Sequence, residues 1–439
     1  DQKNFVYVQV NNGLVEHTNE KIIKDFILDY LMTLDDISVY NYFAEQTRLF
    51  KEDYLSLLST IDIFFMEDTK DISYLYYENC AIKITQKGVE VLDYLSLDGY
   101  VWRDHVIKRS YVDCEIKDCD YKKFISNICD QNPERIKTME STIGYMLHSY
   151  KNVSNCPATI LNDEVISDTA NGGTGKGLWL QALGHMKKLV MIDGKAFNFE
   201  KSFPYQLVSA DTQILVFDDV KKNFEIERLF SVITEGLTLE KKNKDAIKIP
   251  FSKSPKICIS TNYALRGSGN SFARRKWDLE LSQHYNKVHT PIDDFNKYLF
   301  GDWDNEEWCQ FDNYMIKCTQ LFLKHGLITS DFVNLNIRKL IMETNPEFVE
   351  WCGLTPKGSD PNPYLVTNEW FYSYDLYRQF IEDNPEFGKL NLKPRTFNRW
   401  IVSYCLYKEG LEPEKKKTNK KTMMRIRPRV EGVSQQKLL

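Results

Sequence analysis

Asn171-Gly172-Gly173-Thr174-Gly175-Lys176-Gly177 decides how the rest of the chain reads. A short apolar strand candidate, Ala158-Thr159-Ile160-Leu161, lies before it, and an apolar helical pattern at Leu178, Leu180 and Leu183 follows. Strand, glycine-rich turn and helix is a setting in which chains bind phosphate. Glycines let backbone N–H groups turn toward phosphate oxygens, the helix N-terminus adds partial positive charge, and a lysine reaches the terminal phosphates. Gly172, Gly173, Thr174, Gly175, Lys176 and Gly177 are the candidate cradle. The full pattern places Gly at 170 and Ser or Thr at 177; here they are Ala170 and Gly177. The hydroxyl missing at 177 removes an expected Mg2+ ligand. Read alone, the stretch also fits an ordinary glycine-rich loop with an incidental lysine.

Further signals follow in order. Ile214-Leu215-Val216-Phe217 is a buried-strand run ending in Asp218-Asp219. Two carboxylates at the carboxyl end of a parallel strand can hold Mg2+ and polarise an attacking water. Ile257-Cys258-Ile259-Ser260 is another such strand and ends in Thr261-Asn262, an amide placed to orient that water. Between the two lies Gly236-Leu237-Thr238-Leu239-Glu240-Lys241-Lys242-Asn243-Lys244, with Ile247, Ile249 and Pro250 as a return strand. Phe272-Ala273-Arg274-Arg275 then supplies paired arginines. Each is weak singly, because a strand-end Asp is often a turn residue and exposed Lys or Arg clusters are usually solvated.

The ordered set resembles the superfamily 3 helicases of DNA viruses and mobile elements, which are AAA+-related hexamers. The resemblance covers roughly residues 155 to 290 and is nearest the poxvirus-type and phage-type branch, which often carries a primase domain upstream. It implies an α/β fold: an AAA+-like motor over 146–295, a mainly helical N-terminal collar over 1–145, a helical lid or linker over 296–355, and a C-terminal winged helix over 356–439. It also implies ATP and Mg2+ as cofactors. Lys176, Asp218, Asp219 and Asn262 serve one nucleotide, and Arg274 or Arg275 reaches the nucleotide of the next subunit. Lys241, Lys242 and Lys244 stand where the family carries a hairpin that grips DNA in the central channel. The expected activity is a replicative helicase translocating on single-stranded DNA, with a primase or other replication proteins as partners. The alternatives are a DNA-stimulated ATPase that does not unwind, and a DNA-binding scaffold with a decayed site.

Toward the C-terminus, three prolines in 355–363 mark a loop. Tyr374 to Asp383 reads as a helix with Ser373 as its cap, and Pro394 opens a second. There Phe397, Trp400, Ile401, Tyr404 and Cys405 form an apolar stripe, with Arg395 and Arg399 on the opposite face. A basic hairpin, Lys415 to Lys421, follows. Helix, helix and cationic hairpin suggest a winged helix that contacts forked DNA through Arg395, Arg399, Lys416, Lys417 and Lys420.

Over the first 145 residues, Ile22, Ile23, Phe26, Ile27, Tyr30 and Leu31 share one helical face. The acidic residues there are scattered, which excludes clustered primase carboxylates. The stretch from 291 to 350 reads as helical and polar-faced. With 439 residues, 42% hydrophobic and 27% charged, the chain sits in the ordinary globular class and has room for several domains. A net charge of −5 gives no global pull toward nucleic acid, so binding must come from local basic patches. Ten cysteines show no zinc spacing and read as reduced thiols of a cytoplasmic protein. No apolar run is long enough for a membrane span. The absence of an initiator Met points to a fragment of a longer chain.

Overall fold

The computed structural model describes residues 7–34, 36–164, 173–221, 224–240, 246–263, 265, 272, 274–354, 362, 365–390, 392–407, 411–418 and 421–428, without the side chains of 389, 407 and 421. At its centre is a five-stranded sheet whose neighbouring strands are all parallel. Its strands are β1 (Ala158–Asp163), β2 (Leu189–Asp193), β3 (Ile214–Val220), β4 (Lys256–Thr261) and β5 (Lys276–Leu281), in the spatial order β5-β1-β4-β3-β2. The central strands are buried on both faces, so Ile214 to Phe217 and Ile257 to Ile259 read as continuous apolar runs. The mainly parallel α/β sheet expected between 155 and 290 is present. An antiparallel pair, Gly236–Leu239 with Ile247–Pro250, stands between β3 and β4. Lys241, Lys242 and Lys244 of its tip lie outside the described residues.

Helix α1 (Pro133–Leu147) is started by an Asn132 side-chain cap and a proline in its first turn. It packs on α3 (Asn305–His325), which opens with a capping box between Asp304 and Glu307 and carries Lys324 and His325 in its last turn. Their crossing is close at Gly144, where a Cβ would stand 2.1 Å from the Cys318 carbonyl oxygen. One apolar core joins α1, α3, the sheet and part of the N-terminal region, from Leu75 to Cys318.

Two sequence readings differ here. The N-terminal region is mixed rather than mainly helical. It holds helices Glu20–Met32 and Ile37–Glu45, but also a four-stranded sheet including Ile72–Tyr77 and Ala81–Thr85, and a three-stranded sheet. Helix α3, read as part of a polar-faced linker, is largely buried because its polar residues have partners. Asp312 pairs with Arg109, Gln310 accepts from the Lys117 and Asp118 amides, and Asn313 accepts from Tyr111 and donates to the Val112 carbonyl. The cysteines are not all reduced either, since Cys114 and Cys309 form a disulfide across 195 residues.

Near the C-terminus, helices Ser373–Asp383 and Pro394–Tyr407 pack on a three-stranded antiparallel sheet of Trp370–Tyr372, Lys421–Pro428 and Leu411–Thr418. Ser373 is not the cap; Tyr372 holds that position and makes no side-chain capping bond. A helix from earlier in the chain, α4 (Leu335–Glu343), contributes Leu340 to the same core. No helix among the described residues is long and apolar enough to cross a membrane.

Candidate nucleotide site

In a parallel sheet, side chains gather at the carboxyl ends of the strands, where the connections leave a crevice. Here β1, β4 and β3 are neighbours, and the polar residues that end them meet. Helix α2 (Lys176–Gly184) begins beside them. Its N-cap, Gly175, has φ +101°, and Gly173 has φ +105°, so both use the left-handed backbone that glycine tolerates. A Cβ on Gly175 would also stand 2.9 Å from the Phe124 ring. Gly172 lies outside the described residues.

Lys176 Nζ donates to Asp163 Oδ2 at 2.6 Å, to Asn262 Oδ1 at 2.6 Å and to the Thr261 carbonyl at 3.2 Å. Burial pushes its pKa down, while the Asp163 carboxylate pulls against that shift. Thr174 Oγ1 also donates to Asp163, which is thereby tied to both the loop and its lysine.

The acidic pair is presented by a bulge. Between Phe217 and Val220 the register of β3 against β4 slips, so Asp218 and Asp219 together face the single residue Ser260. Asp219 adopts φ +53°, which turns the chain there. Ser260 Oγ donates to Asp218 Oδ1 at 2.5 Å and accepts from the Asp219 amide at 2.8 Å. Asn262 Nδ2 donates to Asp219 Oδ1 at 3.2 Å, and Lys195 pairs with the other Asp219 oxygen. Asp163, Lys176, Asn262, Asp219 and Lys195 thus form one chain of contacts across three strand ends.

Arg338 of α4 closes the site from the C-terminal side. Its guanidinium donates to the Asp163 carbonyl and, at 2.6 Å, to the Asn262 carbonyl. Burial lowers its pKa, with Asp163, Glu280 and Asp278 opposing.

The structure brings together Lys176, Asp218, Asp219 and Asn262, with Gly173, Thr174, Gly175 and Gly177 alongside. It does not bring Arg274 and Arg275 to them. Lys276 pairs with Ala158, and β5 runs parallel to β1, so the arginines sit at the amino end of the sheet. At ~3.3 Å per residue they are roughly 20 Å from Asp163 along the strands. Arg274 is exposed, whereas the Arg275 guanidinium lies over the Phe230 ring at 4.9 Å and its carbonyl accepts from the Ala158 amide.

In the C-terminal unit, Arg395 and Arg399 are exposed on Pro394–Tyr407 and Lys417 is exposed on the hairpin. Lys416 is exposed too, with its ammonium 3.9 Å over the Trp370 ring. Arg425 and Arg427 of the partner strand pair with Glu414 and Glu412. Lys420 lies outside the described residues.

Sequence reasoning missed Asp163, Lys195, Ser260 and Arg338. Asp163 and Ser260 carried a usable signal, since each is a polar residue at the end of an apolar strand.

No protein-family model and no curated protein matches the sequence. Among solved structures, the chain is similar to the apo C-terminal region of NrS-1, with 14% identity and a TM-score of 0.35, over 81% of this chain and 96% of that one. Another apo structure of that region gives 13% and 0.32, over 82% and 97%. The helicase of JCV gives 14% and 0.27, over 56% of this chain and 66% of that one. These likenesses are distant, and the reading of the site rests on this chain's own residues.

Proposed function

We propose that this chain is an ATP-driven motor of the superfamily 3 helicase type, which travels on single-stranded DNA as a ring of identical subunits. The observation that carries this reading is the convergence of Lys176, Asn262 and the Asp218–Asp219 bulge on three adjacent parallel strand ends. The donor set fits a magnesium nucleotide, with left-handed glycines and a helix N-terminus for phosphate, a lysine, and two carboxylates. Bound ATP and Mg2+ supply the phosphoryl group and the neutralisation of its charge.

The protein's part is positioning. With nucleotide bound, Lys176 would exchange Asp163 and Asn262 for phosphate oxygens. Asp218, held by Ser260, would help hold the metal. Asp219 and Asn262, already in contact, orient the attacking water between them. Arg274, at the far end of the sheet, serves a neighbour's site. In this reading Lys241, Lys242 and Lys244 grip the single strand, and the basic residues of the C-terminal unit contact forked DNA.

The test is ATP hydrolysis with and without single-stranded DNA, on wild type beside a Lys242→Ala, Lys244→Ala double variant. DNA should stimulate wild type, and the double variant should lose that stimulation while keeping basal turnover. Absence of turnover in both proteins would reject the motor and favour a scaffold whose site Gly177 has disabled.

A further inference from the structure

Behind the phosphate loop, a second group of side chains converges that the proposed motor does not use. After β5 the chain runs through His284, Tyr285 and Asn286 to His289, then into the short helix Pro291–Phe295, which carries Asp294. Asn286 backs the phosphate loop, with its carbonyl carbon 3.7 Å from where a Cβ on Gly173 would stand. His284 Nε2 lies 2.8 Å from Asp294 Oδ2, and His289 Nε2 lies 2.9 Å from Asp294 Oδ1. One atom from each of the three falls within 4.8 Å of the others.

One imidazole would satisfy a carboxylate as an ordinary hydrogen bond. Here two rings, 74° apart in plane, aim the same nitrogen at its two oxygens. The group is also held in place from outside. Asn127 Nδ2 donates to Asp294 Oδ2 at 2.9 Å, as outer partners orient metal ligands. Tyr285 lies parallel to His289 on one side and to Phe124 on the other. A capping box between Thr290 and Asp293 fixes the start of the helix that presents Asp294. A groove of about 500 Å³, lined in part by Asn127, His284 and Asp294, opens the cluster to solvent.

We propose that His284, His289 and Asp294 bind one divalent transition-metal ion of the zinc class. Two imidazole nitrogens and one carboxylate suit Zn2+, Co2+ or Ni2+, whereas Mg2+ and Ca2+ favour all-oxygen sets. Three protein ligands leave at least one position for water. Binding would replace the two Nε2···O contacts with metal bonds, each ring coordinating through Nε2 as a neutral imidazole whose proton sits on Nδ1. The ion cross-links the loop that backs Gly173 to the helix that follows it, and so braces the phosphate loop.

Tag-free protein, dialysed against chelator, is titrated with Co2+ and then with Zn2+ in competition, and bound metal is counted by plasma emission spectrometry. The expected result is one ion per chain, with visible cobalt bands that lack thiolate charge-transfer absorption and are bleached by Zn2+. His289→Ala and Asp294→Asn should each weaken uptake at least tenfold with unchanged far-ultraviolet dichroism. Asp294→Asn, close in shape, keeps the test sound if the alanine variant misfolds. No uptake by wild type, or equal uptake by wild type and both variants, would overturn the site and leave a hydrogen-bonded His–Asp–His group.

Discussion

Arg338→Met tests whether the C-terminal unit is fastened to the candidate nucleotide site. Arg338 sits on α4 and is 6% exposed. On the same helix, Leu340 belongs to the apolar core that also contains Phe348, Phe380 and Phe397. The guanidinium holds the main chain of Asp163 and Asn262, and the side chains of those two residues hold Lys176. A hydrogen bond with an ionised partner contributes roughly 1.5–3 kcal/mol, so two bonds lost in a dry site cost about 3 kcal/mol after water refills it. Other contacts keep α4 nearby. Lys339 pairs with Asp278 at 3.1 Å, and Glu280 accepts from the Val333 and Asn334 amides. The expected effect is therefore local opening rather than unfolding. A loss of about 3 kcal/mol speeds exchange of the α4 amides on the order of 100-fold in deuterium-exchange mass spectrometry. Arg338→Lys, able to keep one bond, should fall between the variant and wild type. ATP half-saturation should rise in step, because Asp163 and Asn262 lose their anchor. Exchange in 335–343 within threefold of wild type in Arg338→Met would refute the clamp.

Two further predictions concern the loop and acid stability. Nothing among the described residues lies within 4 Å of a Cβ placed on Gly177, so Gly177→Ser should fold normally and restore a metal-binding hydroxyl. The half-saturating Mg2+ concentration for turnover should drop roughly tenfold, worth about 1.4 kcal/mol; an unchanged Mg2+ dependence would show that position 177 does not face the metal. Burial pushes His105 and His148 down to about 4, and each donates Nε2–H to a carbonyl, of Asp211 and Thr69 respectively. The unfolded chain protonates these rings near pH ~6.5 while the folded chain waits until about 4, so the unfolded state binds more protons in that window. Stability is lost as pH falls from about 6.5 to 4, by roughly 1.4 kcal/mol per unit for each ring. Thermal midpoints across that range should show it, with a shallower slope in His105→Gln; equal slopes would remove His105 from the account.

The parts of the site that could be read from sequence are those where one residue ends one strand. Asp218, Asp219 and Asn262 each follow a continuous apolar run, and the strand supplies the direction that brings them together. Arg338 gave no such sign, because it reaches the site from a helix whose own apolar residues belong to another core. The bulge was also hidden, since only pairing against β4 shows that two acids oppose one serine. Helix α3 misled through its polar residues, which resemble a solvated face until Arg109 and Tyr111, some 200 positions away, are seen to meet them. In the N-terminal region the apolar stripe from Ile22 to Leu31 was read as helix and is one. Leu31 is buried, yet Phe26 and Tyr30 remain 62% and 58% exposed among the described residues, so the stripe is only partly covered. The strand Ile72–Tyr77 carried a signal, an aromatic-rich run closed by a turn at Asn79, that helical periodicity nearby obscured.

The placement of the arginines bears on how the proposed motor must be built. All five central strands run the same way, so each chain has a carboxyl end, where Lys176 and the acids gather, and an amino end, where Arg274 and Arg275 sit. The gap of roughly 20 Å along the strands is longer than an arginine side chain can span. If Arg274 or Arg275 stabilises the reacting phosphate in the proposed motor, it belongs to another copy, and the contact joins unlike ends of two chains. Such head-to-tail contacts either close into a ring or continue as a filament. Of the pair, Arg275 is tied inward, by its guanidinium over Phe230 and its carbonyl to Ala158. Arg274 is exposed on the side that meets the neighbour in this arrangement. The same geometry gives the two outer inputs different sources. In that arrangement Arg338 would report from the C-terminal unit of the chain that binds the nucleotide, and Arg274 from the next chain. In the proposed motor, hydrolysis would then depend on both the docking of a chain's own C-terminal unit and the seating of its neighbour, the two conditions that a motor closing around a strand has to meet before it turns over.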